Sequence, residues 1–363
     1  MGGILTVIRN LQDATRAAGV QHVVWANRAF VEARHPALVY RYSRHAQADS
    51  PHHASLLLRS LGAFFELKYL LALEHFDILH AHSRGSLLAG ILTAVFLDRA
   101  VLFTNHSYAK RIGFYKRAAM PANIYTALLT ANMARHYGLA VQPPKVSIVS
   151  ECCSDRFFSA PLITEVDRRK TTPRLRLVGV GNIVRWKNWH ILLQALQHLT
   201  EEERARVEFS HWGTALPDRD SRRYERELRA FVRQHGLETR VHLRGTTASV
   251  AECLREADWF VLPSTNEPCS VALIEALALG LPALVSSSGG NVDIIQAGKT
   301  GLLFQPENSG DLAAMLRKIL QSKVELLSPF LIRESVRTRS ATAVAQQYVS
   351  LYEQLAGDRG AIR

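Results

Sequence analysis

The 363-residue chain is poor in cysteine: of its four, Cys152 and Cys153 are adjacent, so neither a disulfide framework nor a zinc-ligand spacing can be read from it. A reducing cytoplasm is the expected setting. Long apolar runs are absent too, for the longest clean one, Leu87 to Leu97, is about half of what a membrane-spanning helix needs. The opening MGGILTVIRN lacks the basic-then-apolar order of a secretory leader. No short repeat or low-complexity tract is visible, and proline and glycine are at ordinary levels. Acid is missing locally: from Val101 to Ser150 there are six Lys or Arg and no Asp or Glu, in a chain of formal charge +12. There Lys110, Arg111, Lys116 and Arg117 interleave with Tyr108, Ile112, Phe114 and Tyr115. The 107–120 stretch suits peripheral contact with an anionic membrane or an anionic lipid acceptor, and equally an ordinary solvated helix face. No nucleic-acid motif accompanies the charge, so nucleic acid is not an expected partner.

What is present is a globular composition, 47% apolar and 21% charged, long enough for two domains. Short β-rich runs alternate with helical patterns, which predicts parallel sheets covered by helices, an α/β doubly wound architecture. In the first half the strands are expected at 22–28, 37–43, 77–83, 100–107, 123–129 and 145–151. In the second half they are expected at 175–182, 207–213, 241–247, 259–265, 282–289 and 301–306. The polar stretch 159–174, with two prolines, reads as the linker. The expected division is 1–160, 161–340 and a terminal helical segment, 341–363, returning to the first domain. Two such domains facing each other make a cleft, with ligands at the carboxyl ends of the strands. One feature is out of order. A doubly wound sheet begins with a central strand, yet here Gly2-Gly3 runs straight into an amphipathic helix over 4–19. Either the start lies upstream of Met1, or this half has lost a middle strand and left two edges unpaired.

The segment PSTNEPCSVALIEALALGLPALVSSSGG (263–290) carries the most chemistry. A buried strand ends near Pro263, a loop holds Glu267, and a helix starts near Ser270 with Glu275 inside it. The loop amides and the helix N-terminus favour an anion, and two carboxylates beside them suit a phosphorylated sugar. Incidental glutamates after a buried strand are the plainer alternative, although Glu275 in so apolar a helix needs a partner. A second strand-to-helix loop, GVGNIVRWKNWH (179–190), contains Asn182, Arg185 and Lys187; its G-x-G lacks the third glycine of a dinucleotide fingerprint. In the first half, His106 follows the strand AVLF, where a cleft residue belongs, though a loop histidine bonded to backbone would look the same. Asp218-Arg219-Asp220 has a metal-binding spacing but opens a very polar helix, so solvated surface is expected. Cys152-Cys153 reads as a buried thiol pair.

Glu267 and Glu275 reproduce the E-x7-E signature of retaining two-domain glycosyltransferases, and the segment resembles glycosyltransferase family 4. The likeness extends through Ala278-Leu279-Gly280-Leu281-Pro282, Gly289-Gly290 and Gly298-Lys299-Thr300-Gly301-Leu302. It implies a GT-B fold, two Rossmann-like domains across a cleft, and a nucleotide-diphosphate sugar as donor, with no cofactor and no metal. Glu267 would contact the transferred sugar and Glu275 the ribose hydroxyls, while backbone amides near Cys269, Ser270 and Val271 hold sugar and phosphate. Lys187 would bind the diphosphate. Asn182 stands where the family has an arginine, and Arg185 could supply that charge. His106 would approach the donor, and Gly2 and Gly3 would let backbone approach its phosphates. His80 and His82 match a frequent family pattern and read as supporting residues. The acceptor would be a carbohydrate or lipid-linked carbohydrate, in bacterial surface-polysaccharide or lipopolysaccharide synthesis. A catalytically impaired relative and a sugar-nucleotide epimerase remain as alternatives.

Overall fold

A computed structural model describes residues 3–29, 39–48, 52–163 and 174–357. The chain divides into two compact units, 1–151 with 341–363, and 152–340. In the first, α1 (Gly3–Thr15) leads to β1 (Val23–Asn27) and β2 (Val39–Ser43). Then come α2 (His53–Leu73), β3 (Leu79–Ala81), α3 (Arg84–Leu97), β4 (Val101–Asn105), α4 (Ile112–Ala118), β5 (Ile124–Leu128) and β6 (Val146–Ile148). The apolar run Leu87 to Leu97 is the body of α3, whose start is fixed by a reciprocal Ser83–Ser86 capping box. All pairing is parallel, but in two pieces: β1 with β2, and β3-β4-β5-β6 in that order. Among the described residues no strand joins β1 to β3. Exposure follows this break. All of β4 is buried, whereas all five residues of β1 (VVWAN) are partly exposed. The terminal helix Ala341–Gly357 packs on α1 and spans the break. Its Tyr352 ring lies 6.3 Å from that of His22, just before β1, and its hydroxyl is 2.8 Å from His80 Nδ1 on β3.

The second unit holds one continuous six-stranded parallel sheet. It is built from β7 (Leu175–Val180), β8 (Val207–Trp212), β9 (Val241–Gly245), β10 (Trp259–Leu262), β11 (Ala283–Ser286) and β12 (Gly301–Phe304). The order is β12-β11-β10-β7-β8-β9. Winding therefore starts at β7, runs outward to β9, then returns to β10 and runs outward on the other side. Between β7 and β10 it reverses, and this is where doubly wound sheets open a crevice at their carboxyl ends. β10 and β11 are buried throughout, as their apolar runs require.

Each of the twelve expected strands forms within its predicted run. The boundary between units falls at Glu151/Cys152, ahead of the 160/161 expected from composition. The reason is local packing. The Cys153 amide donates to Arg339 O at 3.1 Å, and the helix Asp155–Ser159 rests on the helix Val271–Ala278, so this segment is tied into the second unit. Within the expected linker, 164–173 lie outside the described residues.

Candidate functional site

The two loops flanking the reversal in the second unit carry the residues singled out from sequence. After β7 the chain makes a 3-10 turn, Arg185–Lys187, before the helix Trp189–Gln197. After β10 it makes the loop that ends at Ser270, the N-cap of Val271–Ala278. The loops are stitched together: the Thr265 amide donates to Trp186 O at 2.9 Å, and Asn188 Nδ2 donates to Thr265 Oγ1 at 3.4 Å. Lys187 Nζ then donates to Glu267 Oε2 at 2.5 Å, with only 11% and 7% of the two side chains exposed. The ammonium also stands 4.6 Å from the centre of the Trp186 ring. An ion pair this buried is held by its surroundings, since stripping either partner leaves an unpaired charge in low dielectric.

Glu267 is fixed from behind by the Gly289-Gly290 turn. The Gly290 amide donates to Glu267 O at 2.7 Å, and the Asn266 amide donates to Ser288 Oγ at 2.9 Å. Gly289 has φ 59°, and a Cβ there would lie 2.3 Å from Glu267 O. Only glycine fits, so this element of the sequence signature holds the acid in place. Ala278 to Pro282 has another job: Gly280, at φ 80°, closes the helix while the Leu281 amide returns to Ala276 O at 3.0 Å. Gly298 to Leu302 turns the chain into β12, with Gly298 N donating to Gly301 O at 2.8 Å.

The helix that follows opens with Ser270 Oγ accepting from the Leu273 amide at 3.3 Å. This leaves the first-turn amides, those of Val271 included, without intrahelical partners. Cys269 is buried, its sulfur 3.9 Å from Arg339 Nη1. One turn on, the Glu275 carboxyl makes no hydrogen bond or ion pair with another described residue. Burial pushes its pKa up to about 7, with the positive charge of Arg156 opposing. A carboxyl in that condition gains when hydroxyls donate to it.

Arg185 and Lys187 share one turn but serve different partners. The Arg185 guanidinium donates to Glu227 at 2.9 Å and to Asp220 at 3.3 Å, over the Tyr224 ring at 5.3 Å. Those acids lie on the helix Arg219–Gln234. Asn182 uses its backbone carbonyl to accept from Trp189 Nε1 at 3.2 Å. The Asp-Arg-Asp stretch is accounted for by the same helix: Asp218 caps it through the Ser221 amide at 2.8 Å, and Asp220 pairs with Arg185 and Arg223. No group of three or more metal-ligating side chains occurs among the described residues.

In the first unit, His106 sits just past the carboxyl end of β4. Its Nδ1 is 2.7 Å from Glu151 Oε1, and its Nε2 is 3.0 Å from His82 Nδ1. A carboxylate only accepts, so Nδ1 of His106 carries the hydrogen; in its neutral form the ring then accepts at Nε2 from His82. Burial lowers the His82 pKa far below the usual value and that of His80 to about 3, so both rings stay neutral. His80 is bonded to Tyr352 and to Thr104 Oγ1 (2.7 Å), whose hydroxyl meets Tyr348 at 3.0 Å. The His80 and His82 rings lie 3.9 Å apart, so the histidines form a row from the terminal helix to His106. Glu151 went unnoticed in the sequence. The available signal was an acid at the carboxyl end of a short apolar strand, KVSIVSE. Cys152 and Cys153 are both buried, and burial raises the Cys153 pKa. Gly2 lies outside the described residues, and Gly3 is the first residue of α1.

With this geometry in hand, comparison with known proteins gives a consistent result. Residues 1–142 match the family described as Glycosyltransferase Family 4, and 165–330 match Glycosyl transferases group 1. WcaL of Salmonella typhimurium, named for colanic acid biosynthesis, is 29% identical over 182 residues, 48% of this chain and 41% of that protein. The chain therefore spans under half the length of that relative. Among solved structures, sucrose-phosphate synthase of Thermosynechococcus elongatus superposes with TM-score 0.81 at 20% identity, over 98% of this chain and 94% of that one. Anabaena Alr3699/HepE, solved in complex with UDP-glucose, superposes with TM-score 0.69 at 18% identity, over 98% and 96%. At these identities the structural likeness speaks for the fold, which is GT-B, with two Rossmann-like α/β units.

Proposed function

Because this chain belongs to the family-4, group-1 glycosyltransferases, we propose that it transfers a sugar from a nucleotide-diphosphate donor to a carbohydrate or lipid-linked acceptor, with retention at the anomeric carbon and without a metal ion. The observation that carries this reading is the buried Lys187–Glu267 pair at the crevice between β7 and β10, in front of the Ser270-capped helix. As the donor's bond to its diphosphate breaks, negative charge builds on the leaving oxygens. Lys187 and the first-turn amides at Ser270 and Val271 supply fixed positive charge there, a source of stabilisation worth about 3 kcal/mol per donor group. Glu267 takes the hydroxyls of the transferred sugar, and Glu275 those of the ribose. Cys269 contributes its backbone amide to the same loop. Arg185 and Asn182 complete the diphosphate side, Arg185 by exchanging its carboxylates for phosphate oxygens. Gly2 and Gly3 keep their assignment as donor-binding residues.

In the transfer, the acceptor oxygen bonds to the anomeric carbon on the face the diphosphate leaves, and the acceptor's proton passes to a phosphate oxygen. No protein base is needed. His106 keeps its assignment as a catalytic residue, its ring oriented by Glu151. The setting is bacterial surface-polysaccharide or lipopolysaccharide synthesis at the cytoplasmic face of the membrane, in line with the likeness to WcaL. Glu267→Gln should abolish transfer in a protein that still folds, at a lowered melting temperature because Lys187 loses its buried partner. Undiminished turnover by the purified variant would defeat the assignment. Treatment with EDTA should leave wild-type turnover unchanged. The competing reading, a catalytically impaired relative, draws on Asn182 and the divided first sheet; donor binding with no transfer to any acceptor would identify it.

A further inference from the structure

The first unit carries an apolar surface that is exposed among the described residues. On α2 the buried side is Leu56, Ala63, Phe64 and Leu67, yet the opposite side is apolar as well. Leu57, Leu61, Phe65, Tyr69 and Leu73 recur every four residues, with Leu58 beside them, at exposures from 44% to 72%. A surface helix normally turns charge outward, and one that is apolar all round is covered by something else. The row continues onto α3. Phe64 touches both Phe65 and Phe96, at ring distances of 5.4 and 6.0 Å, and Phe96 is itself exposed.

The exposed charges on α2 itself are basic, while Glu74, paired with Arg41, and the exposed Asp77 follow its end. The exposed charged side chains of α2 are Arg59 and Lys68. The helix's one carboxylate, Glu66, is turned to Ser43 and to the Arg44 amide at 3.1 Å. Asp98, at the end of α3, accepts from Asn123 at 3.3 Å. At the start of α2, Arg111 donates to His53 Nε2 at 3.0 Å, and Lys110, Lys116 and Arg117, all exposed, lie close to it in sequence. Met120, a few residues on, is exposed as well. No described helix is long and apolar enough to cross a membrane.

We propose that the outer face of α2, with Phe96 and the basic 110–117 segment, is a docking surface for an anionic phospholipid bilayer. The helix lies in the interface with its leucines and aromatics among the acyl chains, while the basic side chains meet the headgroups. A second copy of the chain is a poorer occupant, because pairing this face with itself sets Arg59, Lys68 and the 110–117 cluster against their like. The proposal stands on surface chemistry and is independent of the reaction assigned above.

Co-sedimentation tests it with vesicles of equal parts phosphatidylethanolamine and phosphatidylglycerol, against phosphatidylcholine alone. The wild-type protein should partition to the anionic vesicles, and less so as salt rises. Leu58→Gln/Phe65→Gln/Tyr69→Gln should lower that partitioning roughly tenfold or more with no loss of melting temperature, since all three side chains face solvent. A second variant, Lys110→Gln/Arg111→Gln/Lys116→Gln/Arg117→Gln, should lose roughly as much on anionic vesicles. Wild-type protein that stays in the supernatant, or a triple variant that binds undiminished, overturns the proposal. So does a concentration-dependent dimer in light scattering that the triple variant abolishes, which would make a second copy the occupant.

Discussion

The two units are wound to one plan and finished differently. In the second, β7 lies between β8 and β10, and the loops leaving β7 and β10 meet to form the Lys187–Glu267 pair. In the first, β1 corresponds to β8 and β3 to β10, but among the described residues the place between them holds no strand. A parallel strand is stabilised from four sides: two ladders and two helical layers. Where all are present, as for β10, the side chains are buried throughout; where one ladder is absent, the equally apolar VVWAN of β1 stays half-buried. The comparison teaches that apolar sequence is a demand for a neighbour and does not itself provide one. It also ranks the two halves of the proposed chemistry. The second unit holds its charged groups on a complete sheet, while the first relies on the terminal helix, through Tyr348 and Tyr352, to steady the strands beneath His106.

The largest expected effect tests that ranking directly. Stability varies locally, and a two-stranded ladder with an open edge is marginal by itself. By amide hydrogen exchange, β1 and β2 should exchange about a hundredfold or more faster than β7 and β10, equivalent to about 3 kcal/mol in opening free energy. Equal protection in both units would break the comparison and require a neighbour for β1 that the described residues do not contain.

How much of this was legible in the sequence depends on the kind of feature. All twelve strands were, because β-branched runs such as VLFTN and WFVL are short and bounded by turn residues. The positions of Glu267 and Lys187 were legible as well, since each lies a few residues past a strand that periodicity locates. Pairings between distant side chains were not. Nothing in RWKNWH says that Lys187 goes to Glu267 while Arg185, two residues earlier, goes to Glu227 and Asp220; that follows from how the 3-10 turn aims successive side chains. Glu151 was invisible for a similar reason, as its partner His106 lies 45 residues away. The unit boundary was misplaced because composition marks a polar stretch, whereas Cys153 and Asp155–Ser159 are committed by packing.

A smaller effect sharpens the comparison from the other side, because the completed unit is not uniformly stable. The Glu275 carboxyl has its pKa raised by burial to about 7 from an ordinary 4.5. Between those values the folded state holds a proton that the unfolded state has lost. Stability therefore falls as pH rises from about 4.5 to about 7 and stays lower above that. Glu275→Gln should flatten this slope and stabilise the ligand-free protein above pH 7 by about 1–3 kcal/mol, read as a rise in melting temperature. The same variant should weaken donor binding, while wild-type affinity for a nucleotide sugar should improve from about pH 6 to about pH 8 as the carboxylate forms. A melting temperature lowered by Glu275→Gln at pH 8 would mean that the carboxylate is stabilising in the folded state.

The smallest effect concerns Arg185, and it separates scaffold from chemistry within the same turn. Its side chain is 43% exposed, so its pairs with Asp220 and Glu227 are screened and together worth no more than about 1 kcal/mol. Arg185→Ala should accordingly leave the melting temperature nearly unchanged. Its effect on donor affinity should be at least tenfold smaller than that of Lys187→Met, because Lys187 is buried at the crevice and Arg185 must first leave two carboxylates. Asp220→Asn/Glu227→Gln releases Arg185 without removing it. If the guanidinium reaches the diphosphate, this double variant binds donor more tightly than wild type, and adding Arg185→Ala cancels the gain. Donor affinity unmoved in all three variants would leave Lys187 and the Ser270-capped helix as the diphosphate's cationic contacts in this unit, with Arg185 serving only to hold the helix Arg219–Gln234 against its turn.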